Sequence, residues 1–393
     1  MKILFISKKL PAIPITGENV RRYYLLKNLS LNNEITFVSF PQKSKQILPI
    51  KHLKAITVKS DNRKPEIFHR VLSPLPYYIS RFTSINMNRK IKELLKYNRF
   101  DVIICDQIIL IKNIPVQYRI PVILDNHDAY SLLHKQKAQY LPFPFNFYSI
   151  MQYIKSRNLE RKISEKIKNW ILVSREDKKY YNSFVNIKSK IIPNGVSILE
   201  EYAFDNNIRK PYLLFTGRMD YFQNIISMTR FIKNVFPLIQ KALPEIKLII
   251  AGSNPPKKLI NIANRNKNII LTGYVKNMEK YFLKSEIFIS PIITGTGIKN
   301  KVLQAMSYKL PVVSTTMGKS GIEARDGKEI LIADDDKEFA NKVLMLHYDK
   351  KLRIEIAARA FQLVSKKYQW EKITHMYEEV IKDIIKSKVF ETP

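Results

Sequence analysis

Ile293-Thr-Gly-Thr-Gly-Ile-Lys-Asn-Lys-Val-Leu-Gln-Ala-Met306 decides how this chain is read. A short apolar run, Ile287–Ser290, precedes it and reads as a buried strand. Gly295 and Gly297 form a Gly-x-Gly loop, and a helical pattern opens at once over Lys299–Tyr308. A strand that enters a helix through such a loop leaves free backbone N–H groups at the positive end of the helix dipole. That end is a ready cradle for phosphate. Lys299 and Lys301 fall in the first helical turn, where cations oppose the dipole. They suit an anion seated between them and the helix end; the plainer alternative is a solvated basic surface.

The same rhythm extends outward in both directions. Lys2–Ser7, Glu34–Ser39, Val102–Cys105, Val122–Asp125 and Ile171–Ser174 read as buried parallel strands, with helices such as Val20–Leu31 and Asn86–Tyr97 between them. The second half repeats the scheme with strands at Tyr212–Thr216, Lys247–Ala251, Ile269–Leu271, Ile287–Ser290 and Val312–Ser314. Its helices read at Ile225–Ala242, Met278–Leu283, Lys299–Tyr308 and Glu338–Leu346. The pattern predicts an α/β protein of two Rossmann-like, doubly wound domains in tandem, which suits a length of 393 residues. Residues 1–205 form the first expected domain and 206–365 the second, divided near the polar segment before Pro211. A helical tail over 366–393, containing Trp370, is expected to cross back to the first domain.

Only ten glycines occur, and several mark strand ends. Gly217 and Gly252 follow predicted strands directly, Gly273 comes one residue later, and Gly295 and Gly297 follow Pro291–Ile293. Ligands of open parallel sheets bind at the carboxyl ends of the strands, and glycine lets the backbone approach them. A single such glycine reads as a plain turn; four sites in one domain favour a ligand. Arg218 points toward the same crevice and suits a bidentate phosphate contact, or is a surface arginine. Gln304 lies one to two turns along the helix, where an amide can serve vicinal hydroxyls such as a ribose. Together these features describe a nucleotide-diphosphate site.

The composition excludes several classes. One cysteine, Cys105, rules out a disulfide framework and a multi-cysteine zinc site, and six scattered histidines suggest no metal. The apolar start Ile3–Ile6 is too short for a signal peptide, and no run approaches the roughly 18 apolar residues of a spanning helix. A cytoplasmic location follows as the expectation. The net charge of +33 leans toward the first half, where residues 1–200 hold 35 Lys/Arg against 14 Asp/Glu. Such a balance points to anionic partners, or to a lysine-rich genome composition. Nucleic acid is not expected, because no basic stripe with interleaved aromatics occurs. Tyr140–Tyr153 is aromatic-rich and Lys155–Lys168 basic, which suits an anionic membrane surface at the inner face of the cell membrane, or a helix packed under a cleft. Glu160 reads as a carboxylate on a helix surface.

Several segments resemble the donor lobe of GT-B glycosyltransferases, family 4 in particular, in the branch that builds bacterial surface polysaccharides. They are Leu214-Phe-Thr-Gly-Arg-Met-Asp220 with Asn224, Ile249-Ile-Ala-Gly252, Leu271-Thr-Gly-Tyr-Val275, Gly297–Met306 and Pro311-Val-Val-Ser-Thr315. In the first half Thr16–Leu26, Leu124-Asp-Asn-His-Asp128, Val173–Asp177 and Ile192-Pro-Asn-Gly-Val196 resemble its acceptor lobe, and Trp370 the aromatic that opens its last helix.

The resemblance implies two domains facing a cleft and sugar transfer with retention, from a UDP- or GDP-sugar to a saccharide or lipid-linked acceptor. It implies no metal and no cofactor, the nucleotide-sugar being a substrate. His127 becomes the catalytic residue. Gly17, Arg218, Gly295, Gly297, Ile298 and Lys299 face the donor phosphates, and Gly252, Tyr274, Val275 and Gln304 the ribose and base. Thr296 faces the donor sugar; Arg21, Tyr23 and Asp128 face the acceptor. Two departures stand out. The family's Glu-x7-Glu pair falls on Thr296 and Gln304, and the lysine usual after Arg218 is replaced by Gln223 and Asn224. Gln304 motivates a rival, a GT-B-like scaffold that no longer catalyses; the charge motivates a nucleic-acid binder; a sugar-nucleotide epimerase is a third.

Overall fold

Residues 1–10, 17–42, 49–61, 72–115, 120–198 and 209–389 are described in the computed structural model. They divide into two compact units, Met1–Asn194 with Trp370–Pro393, and Gly195–Gln369.

In the first unit seven strands form one parallel sheet in the order β3-β2-β1-β4-β5-β6-β7. The strands are β1 (Lys2–Lys9), β2 (Glu34–Phe40), β3 (Leu53–Thr57), β4 (Val102–Asp106), β5 (Val122–Asn126), β6 (Asn169–Leu172) and β7 (Lys188–Ile191). Helices cover both faces, so the central strands are buried on both sides and read as unbroken apolar runs. The edge strands β3 (LKAIT) and β7 (KSKI) occupy half-buried and exposed positions, and no apolar run marks them. The strand expected at Ile171–Ser174 lies two residues earlier. Ser174 instead caps the helix Arg175–Asn182, accepting a hydrogen bond from the Asp177 N–H at 3.0 Å. Strand numbering reverses around β1, whose neighbours are β2 and β4. The crevice at the carboxyl ends of β1 and β4 is therefore the switch point of this sheet.

Six strands build the second unit, in the order β10-β9-β8-β11-β12-β13. They are β8 (Lys210–Thr216), β9 (Lys247–Ala251), β10 (Ile269–Gly273), β11 (Ser285–Ser290), β12 (Val312–Ser314) and β13 (Leu331–Ile332). The switch point here lies between β8 and β11. The helix read as Ile225–Ala242 runs from Phe222 to Ala242, with a π-helical stretch at Phe231–Val235 just before Pro237. Proline has no N–H to donate, and the wider turn absorbs the missing bond.

The helical tail divides at Tyr368-Gln369. Lys350–Lys367 belongs to the second unit, and Trp370–Val389 returns to the first. Trp370, Ile373, Tyr377 and Ile381 recur every three or four residues and bury that face beside the helix Gly17–Leu29. Trp370 is 2% exposed and stacks on Tyr24 with ring centroids 4.9 Å apart. Trp370→Ala removes this anchor and leaves a cavity. The first unit should lose about 3–5 kcal/mol, seen as a lowered denaturant midpoint of its transition.

Candidate functional site

At the switch point of the first unit, Ser7 on β1 and Asp106 and Asp125 on β4 and β5 place polar side chains at three strand ends. Both carboxylates are buried, and each is matched by an arginine from the helix Gly17–Leu29. Arg22 Nε lies 2.6 Å from Asp106 Oδ2, and the Ser7 hydroxyl donates to the same oxygen. Arg21 grips Asp125 in a fork, Nη2 to Oδ1 at 3.0 Å and Nε to Oδ2 at 3.2 Å. Its Nη1 donates to the carbonyls of Ile192 and Pro193 and to Asn194 Oδ1. The Tyr377 hydroxyl, from the terminal helix, adds a bond to Asp125 Oδ2 at 3.1 Å.

His127 completes the cluster. Its Nε2 lies 3.3 Å from Asp106 Oδ1 and 3.4 Å from Asp125 Oδ2, while Nδ1 faces the Gln107 amide at 3.5 Å. Burial alone would raise both carboxyls. The adjoining arginine and His127 outweigh it and hold Asp106 and Asp125 below the ordinary carboxylate range. The cluster is thus anionic at Asp106 and Asp125, cationic at Arg21 and Arg22, with an imidazole that is 14% exposed over it. Gln107 carries φ +76 at the end of β4, a conformation that non-glycine residues adopt rarely and that clusters at functional sites.

The residues expected at the acceptor fall in different surroundings. Arg21 is 2% exposed, with every nitrogen engaged inside the unit, so it braces Asp125 and the Ile192–Asn194 segment. Asp128 is half-buried beside His127 in sequence, and Tyr23 is half-buried with its ring edge on Tyr24. Gly17 opens the helix that carries both arginines; Thr16 lies outside the described residues.

Glu160 is not on a helix surface. It is fully buried, accepts hydrogen bonds from the Ser131 N–H and hydroxyl, and from the Tyr181 hydroxyl at 3.1 Å. The helix Phe145–Lys166 turns Ser149, Gln152, Ser156, Glu160 and Ser164 inward. Burial outweighs these hydrogen bonds and the pull of Arg157, and lifts the Glu160 carboxyl to about 7.

In the second unit the strand ends crowd together. Gly217 follows β8, Gly252 follows β9 and Gly273 closes β10. A Cβ on Gly252 would stand 1.7 Å from the Gly217 carbonyl oxygen, so only glycine lets these two turns pass. A Cβ on Gly217 would stand 3.0 Å from both Asn224 Nδ2 and Lys301 Nζ, in a backbone at φ +144. The Thr294–Lys299 loop leads into a helix that begins at Asn300, with Lys299 at its N-cap. Lys299 is 9% exposed and turns back on its own loop, its ammonium donating to the carbonyls of Thr296 at 2.9 Å and Gly297 at 3.3 Å.

Arg218 is 43% exposed, and its fork is held by Asp220 at 3.1 and 2.6 Å. That guanidinium keeps the Asp220 carboxyl below its usual range. Thr296 and Ile298 are buried, and Ile298 packs where a side chain on Gly321 would clash. Val275 is half-buried, and Tyr274 stands exposed after β10. Gln304 is half-buried and makes no side-chain hydrogen bond among the described residues.

Residues 210–349 match the family described as Glycosyl transferases group 1. The second unit is a group 1 glycosyl transferase domain. The chain is similar to a 44.6 kDa protein in the cps region of Klebsiella pneumoniae, 24% identical over 78% of this chain and 79% of that one. It also resembles the uncharacterized glycosyltransferase MJ1059 of Methanocaldococcus jannaschii, 31% identical over 37% and 39% of the two chains. Among solved structures, sucrose-phosphate synthase from Thermosynechococcus elongatus superposes with TM-score 0.73 at 14% identity, covering 98% of this chain and 99% of that one. WaaG, a glycosyltransferase of lipopolysaccharide biosynthesis, superposes with TM-score 0.69 at 12% identity over 96% and 99%. The fold is GT-B.

In this chain several site residues carried no signal that a sequence pattern exposes. Asp106 lies one residue past an apolar run, and Arg22 reads as one more surface cation until Asp106 is found beneath it. Glu160 was hidden by a helix whose buried face mixes Leu159 and Ile163 with serines and a glutamine.

The Glu160 carboxyl gives a pH signature. Between pH 4.5 and about 7 the native state holds a proton that the unfolded chain has released, so stability falls as pH rises through that window. Glu160→Gln keeps the neutral hydrogen bonds and should flatten the dependence. The wild type should lose up to roughly 3 kcal/mol relative to the variant by pH 8, read from denaturant unfolding at each pH.

Proposed function

We propose that this glycosyltransferase moves a sugar from a nucleotide-sugar to a saccharide acceptor with retention at the anomeric carbon, and without a metal. The observation that carries the reading is the cationic, glycine-lined group of strand ends around the Thr294–Lys299 loop, in a domain of the group 1 family. In the reaction the bond from the anomeric carbon to the diphosphate oxygen breaks and a bond to the acceptor oxygen forms. The diphosphate leaves with the bonding pair, and the acceptor hydroxyl passes its proton to the departing diphosphate oxygen. Stabilising the departing charge matters more than a strong base, and buried cations with a helix N-terminus are suited to it. Lys299 holds the loop in shape, and Arg218 meets the phosphates by exchanging Asp220 for them. Gln304, whose amide has no side-chain bond among the described residues, serves the ribose from the same helix. We assign catalysis to His127, whose ring Asp106 and Asp125 orient, and give it the task of hydrogen-bonding the donor sugar. A UDP-bound relative of this fold, Alr3699/HepE from Anabaena crystallised with UDP and glucose, supports a UDP-sugar as donor. The relative in the cps region supports surface polysaccharide as the product.

The acceptor is proposed to be lipid-linked, reached at an anionic membrane face. Phe143, Phe145, Phe147, Ile150 and Ile154 are 44–80% exposed on and before the helix Phe145–Lys166, and exposed Arg161, Lys162 and Lys166 follow on its last turns. An apolar patch with a basic flank suits lipid headgroups. No helix among the described residues is long and apolar enough to cross a membrane.

Thermal-shift screening against UDP-, GDP- and dTDP-sugars should show a rise with one of them, and a flat response to all would overturn the reading. With the responding donor, His127→Ala should cut turnover at least ~100-fold while the donor-induced shift persists. Sedimentation with anionic vesicles should capture the protein, and the triple change Phe143→Ser, Phe145→Ser, Phe147→Ser should weaken capture at least about tenfold.

A further inference from the structure

Lys301 lies on the helix Asn300–Ser307, and its ammonium occupies an unusual place. It donates to Asn224 Oδ1 at 2.9 Å and sits 4.0 Å above the centre of the Phe215 ring. Asn224 is 4% exposed and is itself fixed by a bond from Nδ2 to the Arg218 carbonyl at 2.7 Å. No carboxylate pairs with Lys301 among the described residues. A half-buried lysine whose ammonium meets one neutral acceptor and one ring is a poor choice for stability, because its charge is desolvated with little compensation. The charged groups facing it do not help. Lys299 has the same sign, and the Arg218–Asp220 pair on the turn after β8 is neutralised within itself. The position is nonetheless strategic, since the Lys301 ammonium lies against Gly217 at the end of β8, so close that a Cβ there would stand 3.0 Å from it.

We infer that Lys301 is a phosphate-binding cation of the donor site whose charge is completed by the ligand, so that a nucleoside diphosphate binds together with a proton. The inference rests on the donor reading of this strand-end loop. Burial, reinforced by Lys299, lowers the Lys301 ammonium from its ordinary 10.5 to about 7. An arriving diphosphate supplies the missing negative charge, and the ammonium regains a value well above neutrality. Asn224 keeps the amine aimed at the loop meanwhile, since an amide oxygen accepts from an ammonium and from a neutral amine alike.

Isothermal titration of the full chain with UDP, GDP, ADP and dTDP at pH 8, in buffers of different ionisation enthalpy, reads the proton directly. The nucleotide's terminal phosphate is fully ionised at that pH, and a binding nucleotide should take up close to one proton (about 0.9 for a group that titrates near 7). Lys301→Met should abolish the uptake and weaken binding at least roughly tenfold, one charge-assisted bond lost. The same variant should melt higher than the wild type without ligand at pH 7, which a merely structural residue would not do. Binding to the wild type without proton uptake, or unchanged affinity in Lys301→Met, overturns the role of Lys301 and leaves the donor reading standing. If none of the four nucleotides binds, both fall together.

Discussion

Asp125 is the residue on which the first unit turns. It is the penultimate residue of β5, with its carboxylate buried, and three distant segments converge on it. Arg21 reaches it from the helix after β1, and through the same guanidinium ties down the carbonyls of Ile192 and Pro193. Tyr377 reaches it from the far end of the chain. An ionised carboxylate in the interior is tolerated only with such partners, and removal of one leaves a charge that costs about 3–5 kcal/mol. The terminal helix is therefore bound to the first unit by a polar contact as well as by Trp370 and its apolar face. His127 stands over the two aspartates that this arrangement holds ionised, so its orientation is inherited from the packing of elements distant in sequence.

The second unit handles charge in the opposite way. Around the Thr294–Lys299 loop positive groups gather with few carboxylates, and their immediate partners are backbone carbonyls, an amide and an aromatic ring. A fold optimised for stability alone would pair or expose these lysines. Such groups, desolvated and set beside a like charge, gather at functional sites more often than elsewhere. Glycine at 217 and 252 makes the arrangement possible, because the turns after β8 and β9 touch at distances no side chain permits.

The helix Phe145–Lys166 shows the same logic on a surface. It buries serines, a glutamine and a glutamate against the helix Tyr130–Tyr140 and the residues beneath, and turns aromatics outward. Hydrogen bonds satisfy the inner face, where Glu160 stays protonated at mildly acidic pH, while the outer face exposes apolar area that water disfavours.

Much of the fold was legible from local pattern. Parallel strands buried on both faces must be apolar throughout, so β1, β2, β4, β5, β8, β9 and β11 announce themselves, and glycines where strands end mark the turns that approach a ligand. The half-exposed edge strands β3 and β7 carry no such run, because one side of an edge meets water. The loop from Ile293 to Lys299 and the helix behind it were likewise readable, since a glycine loop before a helix is a local feature. What each charged residue does was not local. Arg21 and Asp125 are 104 positions apart, Tyr377 and Asp125 are 252 apart, and Lys301 meets Asn224 across 77. A sequence by itself determines which residues can carry charge and where strands run. Only the tertiary structure decided that Arg21 is a brace, that Glu160 is buried and that Lys301 meets an amide and a ring but no carboxylate among the described residues, because a charge takes its energy from whatever packing brings within a few ångströms of it.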